Sequence, residues 1–244
     1  MVTVESCVQM GKSNMSFLSK TLAAALFGAT VLSLAPVAAS AQDMITDTRK
    51  ISELPGLQGF LNLAPAEKSQ FDIYYAVKIK HVDPSGISLT MNDNGREIPL
   101  HMGPDGRISP MATREQVNGG ATITVVYPKE GSEALKLRVY STQPNGREYD
   151  AKGLALGISQ ANRAMAKVGG LLVLAVPRLD RVYFVGANSG TLDTDGQSQP
   201  LPTTSKADNE APAGTPYYVP SQMSGAKIHL SNPARIALFS TPPK

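Results

Sequence analysis

Phe71-Asp72-Ile73-Tyr74-Tyr75-Ala76-Val77-Lys78-Ile79-Lys80 is the stretch that decides the fold class. Phe71, Ile73, Tyr75, Val77 and Ile79 alternate with Asp72, Tyr74, Ala76, Lys78 and Lys80. A period of two predicts an extended strand with one face in a core. Turns and further short strands follow. Asp83-Pro84-Ser85-Gly86 is a turn, and Ile87, Leu89 and Met91 open a second strand. Asn92-Asp93-Asn94-Gly95 is a tight hairpin turn, because Asn and Gly tolerate the positive φ it demands. Ile98, Leu100 and Met102 return from it, and Gly103-Pro104-Asp105-Gly106 turns again before Ile108. Residues 113–120 read as a loop ending in Gly119-Gly120, and Ala121 to Tyr127 is β-branched and strand-like. Leu135, Leu137 and Val139 alternate with polar residues, and Pro144-Asn145-Gly146 reads as another hairpin tip. The tip Asn94-Gly95-Arg96-Glu97 recurs as Asn145-Gly146-Arg147-Glu148, which reads as shared turn chemistry rather than a duplicated unit.

One helix interrupts the strands. Leu154, Ile158, Ala161, Met165 and Val168 recur at steps of four and three, Asp150 can cap the start, and Gly169-Gly170 ends it. Leu171–Val176 and Arg181–Gly186 then read as buried strands joined at Pro177-Arg178-Leu179-Asp180. The expected fold is therefore mainly β: an antiparallel β-sandwich or partly open barrel with one packed amphipathic helix.

The organisation around that core reads in five parts. Residues 1–41 are a signal peptide region. Residues 42–70 form an N-terminal arm, with Leu54, Leu57, Phe60 and Leu63 packing on the main domain. Residues 71–186 are the β-rich domain, with its helix at about 151–168. Residues 187–216, rich in Ser, Thr, Asp, Gly and Pro, read as a polar linker or mobile loop. Residues 217–244 hold two C-terminal strands, Ala226–Leu230 and Ala234–Phe239, that complete the domain.

The signal reading rests on residues 15–41. Lys20 is the positive flank, residues 21–34 are a short apolar core, and Pro36 breaks it. Ala39 and Ala41 supply the small side chains a signal peptidase needs at −3 and −1, so Gln42 becomes the mature N-terminus. The apolar run is short for a bilayer span, so no permanent membrane span is expected after cleavage. Residues 1–14 fit a signal peptide poorly, which points to Met15 as the start. The expected location is the periplasm, with secretion beyond the cell also open.

Charge and residue type then narrow the chemistry. The chain has 23 basic and 20 acidic side chains. Losing Lys12, Lys20 and Glu5 with the leader leaves 21 and 19, and no basic run survives, which argues against a nucleic-acid partner. The nearest cluster, Lys78, Lys80 and His81, reads as a solvated strand face. The only cysteine is Cys7, so the exported chain has no disulfide and no thiol chemistry. His81, His101 and His229 lack ligand spacing and read as separate surface histidines. Asp193-Thr194-Asp195-Gly196 begins like a calcium loop, but Pro202 stands where the closing Glu belongs, so it reads as a plain turn. The expectation is no metal, no cofactor and no assigned catalytic residue.

Tyr217 and Tyr218, between Pro216 and Pro220, are the one ligand-binding candidate, either docking a partner or sugar or packing back on the sheet. The functional reading that follows is an exported cell-envelope binding or accessory protein of unknown ligand, acting through loops or strand edges and non-enzymatic. Its partner would be an envelope protein, glycan or lipid. The alternatives are an envelope-glycan hydrolase using paired carboxylates, and a periplasmic lipid-binding carrier.

Overall fold

The computed structural model describes residues 43–80, 82–103, 106–168, 178–207 and 211–242. The signal region with Ala39, Ala41 and Gln42, His81, the Gly169-Gly170 helix stop and the expected strand Leu171–Val176 lie outside the described residues.

The deciding stretch forms strand β2 (Phe71–Lys80), paired antiparallel over its whole length with β7 (Ser132–Ser141). Phe71, Ile73, Tyr75 and Val77 enter the core, as the period predicts. The other face differs from the expectation, because Tyr74 and Ala76 are buried as well. Residues 106–107 cross over them. Val77 N–H donates to the Gly106 carbonyl at 2.9 Å, and the Arg107 guanidinium lies 4.2 Å from the Tyr74 ring and 5.2 Å from the Tyr140 ring. Gly106 sits at φ +78, and a Cβ there would stand 2.5 Å from the Val77 carbonyl oxygen. Glycine is therefore required by both conformation and space.

Among the described residues all pairing is antiparallel, in three sheets. β1 (Met44–Lys50), β3 (Ser88–Asp93), β4 (Arg96–Met102), β5 (Ile108–Ser109) and β6 (Thr122–Pro128) form a sheet in the order β1-β6-β3-β4-β5. With β2 and β7, strands β9 (Arg181–Val185), β12 (Tyr217–Tyr218) and β14 (Ile236–Ser240) form a second, ordered β12-β9-β14-β7-β2. A single bridge, Ala76 to Arg107, ties the β5 end of the first to the β2 edge of the second. The third sheet is β11-β10-β13-β8, from β8 (Glu148–Asp150), β10 (Gly190–Thr194), β11 (Gln197–Pro200) and β13 (Lys227–Leu230). Inward residues of all three meet in one apolar core, including Tyr75, Met91, Val125, Phe184, Leu192, Ile228 and Phe239. The fold is mainly antiparallel β, a sandwich with one long helix.

That helix, α3 (Ala151–Val168), starts where the sequence places it. Asp150 accepts from Lys152 N–H at 3.1 Å and Gly153 N–H at 2.9 Å, satisfying donors that a helix start leaves unpaired. Leu154, Ile158 and Ala161 are buried. Gly157 is buried too, and a Cβ there would stand 2.7 Å from both the Gln70 carbonyl and the Phe239 ring. The glycine that weakens the helix by propensity is what lets it approach β14. Gln160, off that apolar stripe, is buried as well. Its oxygen accepts from Gln70 N–H, and its amide donates to the Ala66 carbonyl and Ser69 Oγ, each at 3.0 Å. A buried carboxamide is tolerated when its polar atoms are paired in this way.

Elsewhere tertiary pairing overrides local reading. The arm 42–70 begins with β1, an edge strand of the first sheet, before α1 (Leu57–Asn62). Residues 113–120 contain α2 (Arg114–Asn118), started by a reciprocal Thr113–Gln116 capping box. The stretch 187–216 holds the hairpin β10–β11, whose two-residue turn has Asp195 at φ 48 and Gly196 at φ 83. Leu192 is the one buried residue of the two hairpin strands, which is why composition alone reads the segment as a loop. Asn145-Gly146 is not a hairpin tip, since β7 and β8 belong to different sheets and Gly146 lacks positive φ. β14 lies between β9 and β7, with every residue buried.

Candidate functional site

Strands β1 and β11 each leave one side of their backbone unpaired, and they do so differently. β1 borders only β6. Ile51 N–H donates to the Ala121 carbonyl and Lys129 N–H to the Asp43 carbonyl, each at 2.9 Å, and these bonds fix the phase of the ladder. Alternation then directs the backbone groups of Ile45, Asp47 and Arg49 at β6. Those of Met44, Thr46, Thr48 and Lys50 face outward, where no strand lies among the described residues. The side chains of those four are exposed, and Thr48 Oγ1 is 2.9 Å from Thr124 Oγ1 on the solvent face. Asp47 and Arg49 point to the other face, opposite the buried Val125 and Ile123. They form an ion pair with each other, with side chains 37% and 34% exposed.

β11 is one of the two edge strands of the third sheet. Its two-residue turn, and the bond from Leu201 N–H to the Gly190 carbonyl at 2.9 Å, make Ser198 and Pro200 the outward positions. Pro200 has no N–H, so this edge offers a single outward donor, from Ser198. Beside it lies an open groove of about 680 Å³ lined by carboxamides and hydroxyls (Gln197, Gln199, Gln222, Ser198, Ser224), with Met223 on its wall.

The solvent face of the third sheet gathers charge that sequence spacing could not reveal. Strand pairing sets Glu148 opposite His229 and Asp193 opposite Lys227. His229 Nε2 lies 3.0 Å from Asp193 Oδ2, and its Nδ1 is 3.7 Å from Glu148 Oε1. His229 therefore has two acidic neighbours that its place in the sequence does not announce. The three side chains are 40%, 42% and 71% exposed, so water screens the group on an open face. Among the described residues, no group of three or more His, Cys, Asp and Glu side chains has an arrangement that could hold a metal ion. His101 stands apart, opposite Ser109.

Ser224-Gly225-Ala226-Lys227 matches the Ser-x-x-Lys spacing of a nucleophile and its base. A helix would bring such a pair to about 5–6 Å. Here the segment is not helical but leads into β13, so the one-turn spacing that would bring the pair together is missing. The Ser224 carbonyl instead accepts from Thr194 Oγ1 at 2.6 Å, pinning the strand entry.

Tyr217 and Tyr218 form β12 and pair with Tyr183 and Val182 of β9. Tyr218 is buried, and burial followed by the nearby Asp150 charge raises its phenol above the ordinary range. Tyr217 is half-buried, edge-on to Tyr183 at 5.9 Å, with the Arg181 guanidinium 5.2 Å from its ring. On the same outer face Tyr140 donates to Asp72 Oδ2 at 3.1 Å. Burial, then the Asp72 charge, pushes its phenol up to about 12. An apolar pocket in the core, lined by Leu57, Tyr75 and Met91 among others, has only about 20 Å³. Among the described residues, no helix is long and apolar enough to cross a membrane. Comparison of the chain with protein-family models, with curated proteins and with solved structures gives no match in any of the three.

Proposed function

We propose that this chain is an exported binding or accessory protein of the cell envelope that docks an extended polypeptide segment along the free edge of β1. The observation that carries the reading is the outward row of N–H and C=O groups from Met44 to Lys50, without a proline to interrupt it. An extended peptide gains main-chain hydrogen bonds from such an edge, and its side chains meet those that flank the edge.

A photo-crosslinking side chain placed at Thr46, and separately at Ser198, tests the site in living cells. A protein adduct should form from position 46 and not from position 198. Equal adducts from both, or none from 46, would sink it. Export is tested by intact mass. Processing should begin the mature protein at Gln42, and Ala41→Leu should block it. A periplasmic form that retains residues 21–41 would defeat the export reading.

A further inference from the structure

The docking edge of β1 is complementary in charge to itself. We infer that the segment it accepts is β1 of a second copy of this chain, in an antiparallel pair centred on Thr48; the inference rests on the docking role just proposed for that edge.

The phase of the ladder restricts the possible registers. Only Met44, Thr46, Thr48 and Lys50 direct N–H and C=O outward, so the hydrogen-bonded pairs across a two-fold axis must join these residues. The registers that join two or more of them centre on Ile45, Thr46, Asp47, Thr48 or Arg49, and the first sets Asp47 against the second copy's Asp43. Centring on Asp47 sets Asp47 against its own copy. Centring on Arg49 does the same to Arg49. Like charges directly opposite are unfavourable, more so in the closer non-hydrogen-bonded pairs where these residues would fall. Centring on Thr46 sets Ile45 against the second copy's Asp47.

Centring on Thr48 removes every such conflict. Thr48 exchanges both backbone bonds with its own copy, and Thr46 does so with Lys50 on each side, giving about six bonds. Asp47 then stands opposite Arg49 of the other copy, and the two-fold axis repeats the pair. In the single chain these two side chains already form an ion pair and remain about one-third exposed. The second strand adds a cross-strand partner of opposite charge to each member of that pair.

Inward-pointing charges on an edge strand normally protect it from indiscriminate pairing. Here an apolar strand would desolvate Asp47 and Arg49 without offering opposite charges. A strand carrying Asp and Arg two residues apart, in antiparallel sense, offers both. Discrimination of this kind combines attraction with penalty, and β1 is itself such a strand. The 3₁₀ turn Ile51–Glu53 ends the extended chain just beyond the overlap.

Sedimentation velocity of the purified protein across a range of concentrations tests the inference. The wild type should show a reversible monomer–dimer equilibrium. Asp47→Arg and Arg49→Asp should each weaken it about tenfold, because each turns both cross-strand pairs into like charges. The double exchange Asp47→Arg/Arg49→Asp should restore it. Thr48→Pro should abolish the dimer while the far-ultraviolet circular dichroism stays native. If that variant fails to fold, the three charge variants carry the test.

A dimer unaffected by these changes, or a double exchange that does not restore it, overturns the inference. A protein that stays monomeric at all concentrations overturns it as well. In that last case, adducts to another protein from position 46 would leave the docking role standing. Loss of those adducts too would remove both.

Discussion

Strands β1 and β11 both end a sheet, and both turn polar side chains to water, yet they expose different backbone chemistry. β1 shows outward donors and acceptors along seven residues. β11 shows one outward donor, because Pro200 occupies the next outward position. Their supports differ too. β11 is anchored through β10, where Leu192 is fully buried, while β1 holds its sheet with the half-buried Ile45, Asp47 and Arg49. Proteins guard exposed edges by shortening them, charging them or placing proline in them. β11 uses brevity and proline. β1 keeps its donors and guards itself with a charge pair that only a complementary strand can satisfy.

The anchoring difference gives the largest expected effect. Leu192→Ala should cost about 2–5 kcal/mol, since it opens a cavity where three strands of the core meet. Ile45→Ala, at a half-buried edge position, should cost about 1 kcal/mol. Urea unfolding measures both, and equal costs would erase the contrast in support. The outward phase of β1 comes next. Arg49→Pro removes an N–H directed at β6 and should cost about 2–3 kcal/mol. Thr48→Pro removes one that faces water and should cost less than about 1 kcal/mol. A reversed order would show that the ladder runs in the other phase.

The turn behind β11 is the third test. Gly196 stands at φ 83, where a side chain is disfavoured, so Gly196→Ala should cost about 1–2 kcal/mol. Gly95→Ala, at φ 84 in the β3–β4 turn, should cost the same. A neutral effect at 196 alone would mean that β11 contributes little to the sheet. Pro200→Thr should have the smallest effect on stability, within about 0.5 kcal/mol. It should nonetheless raise association beyond that of the wild type by light scattering, because it restores the missing donor. No change in association would deny that proline guards this edge.

Much of the fold was legible because the signals were local. The period of two over 71–79, the period near 3.6 over 154–168 and the Asp150 cap each follow from a residue and its near neighbours. The site was less legible. Tyr217 and Tyr218 were conspicuous as paired aromatics, but antiparallel pairing with β9 buries one and half-buries the other. The acids beside His229 were not legible, because Asp193 and Glu148 reach it only through two strand pairings. β1 was missed because Thr, Asp, Arg and Lys in sequence carry no apolar alternation strong enough to announce a strand.

The two copies of Asn-Gly-Arg-Glu mark the boundary between what each level decides. At 94–97 the four residues build a tight turn with Asn94 at φ 53 and Gly95 at φ 84. At 145–148 they carry the chain from one sheet to another, where Glu148 pairs with His229. The sequence by itself determined where the backbone can turn, which residues must leave water and which chemistries lack their side chains, because those properties belong to residues and their neighbours. Only the tertiary structure decided which strands pair, and hence which edges stay open and which charges meet, because strand pairing joins residues far apart in the chain and one-dimensional spacing holds no record of it.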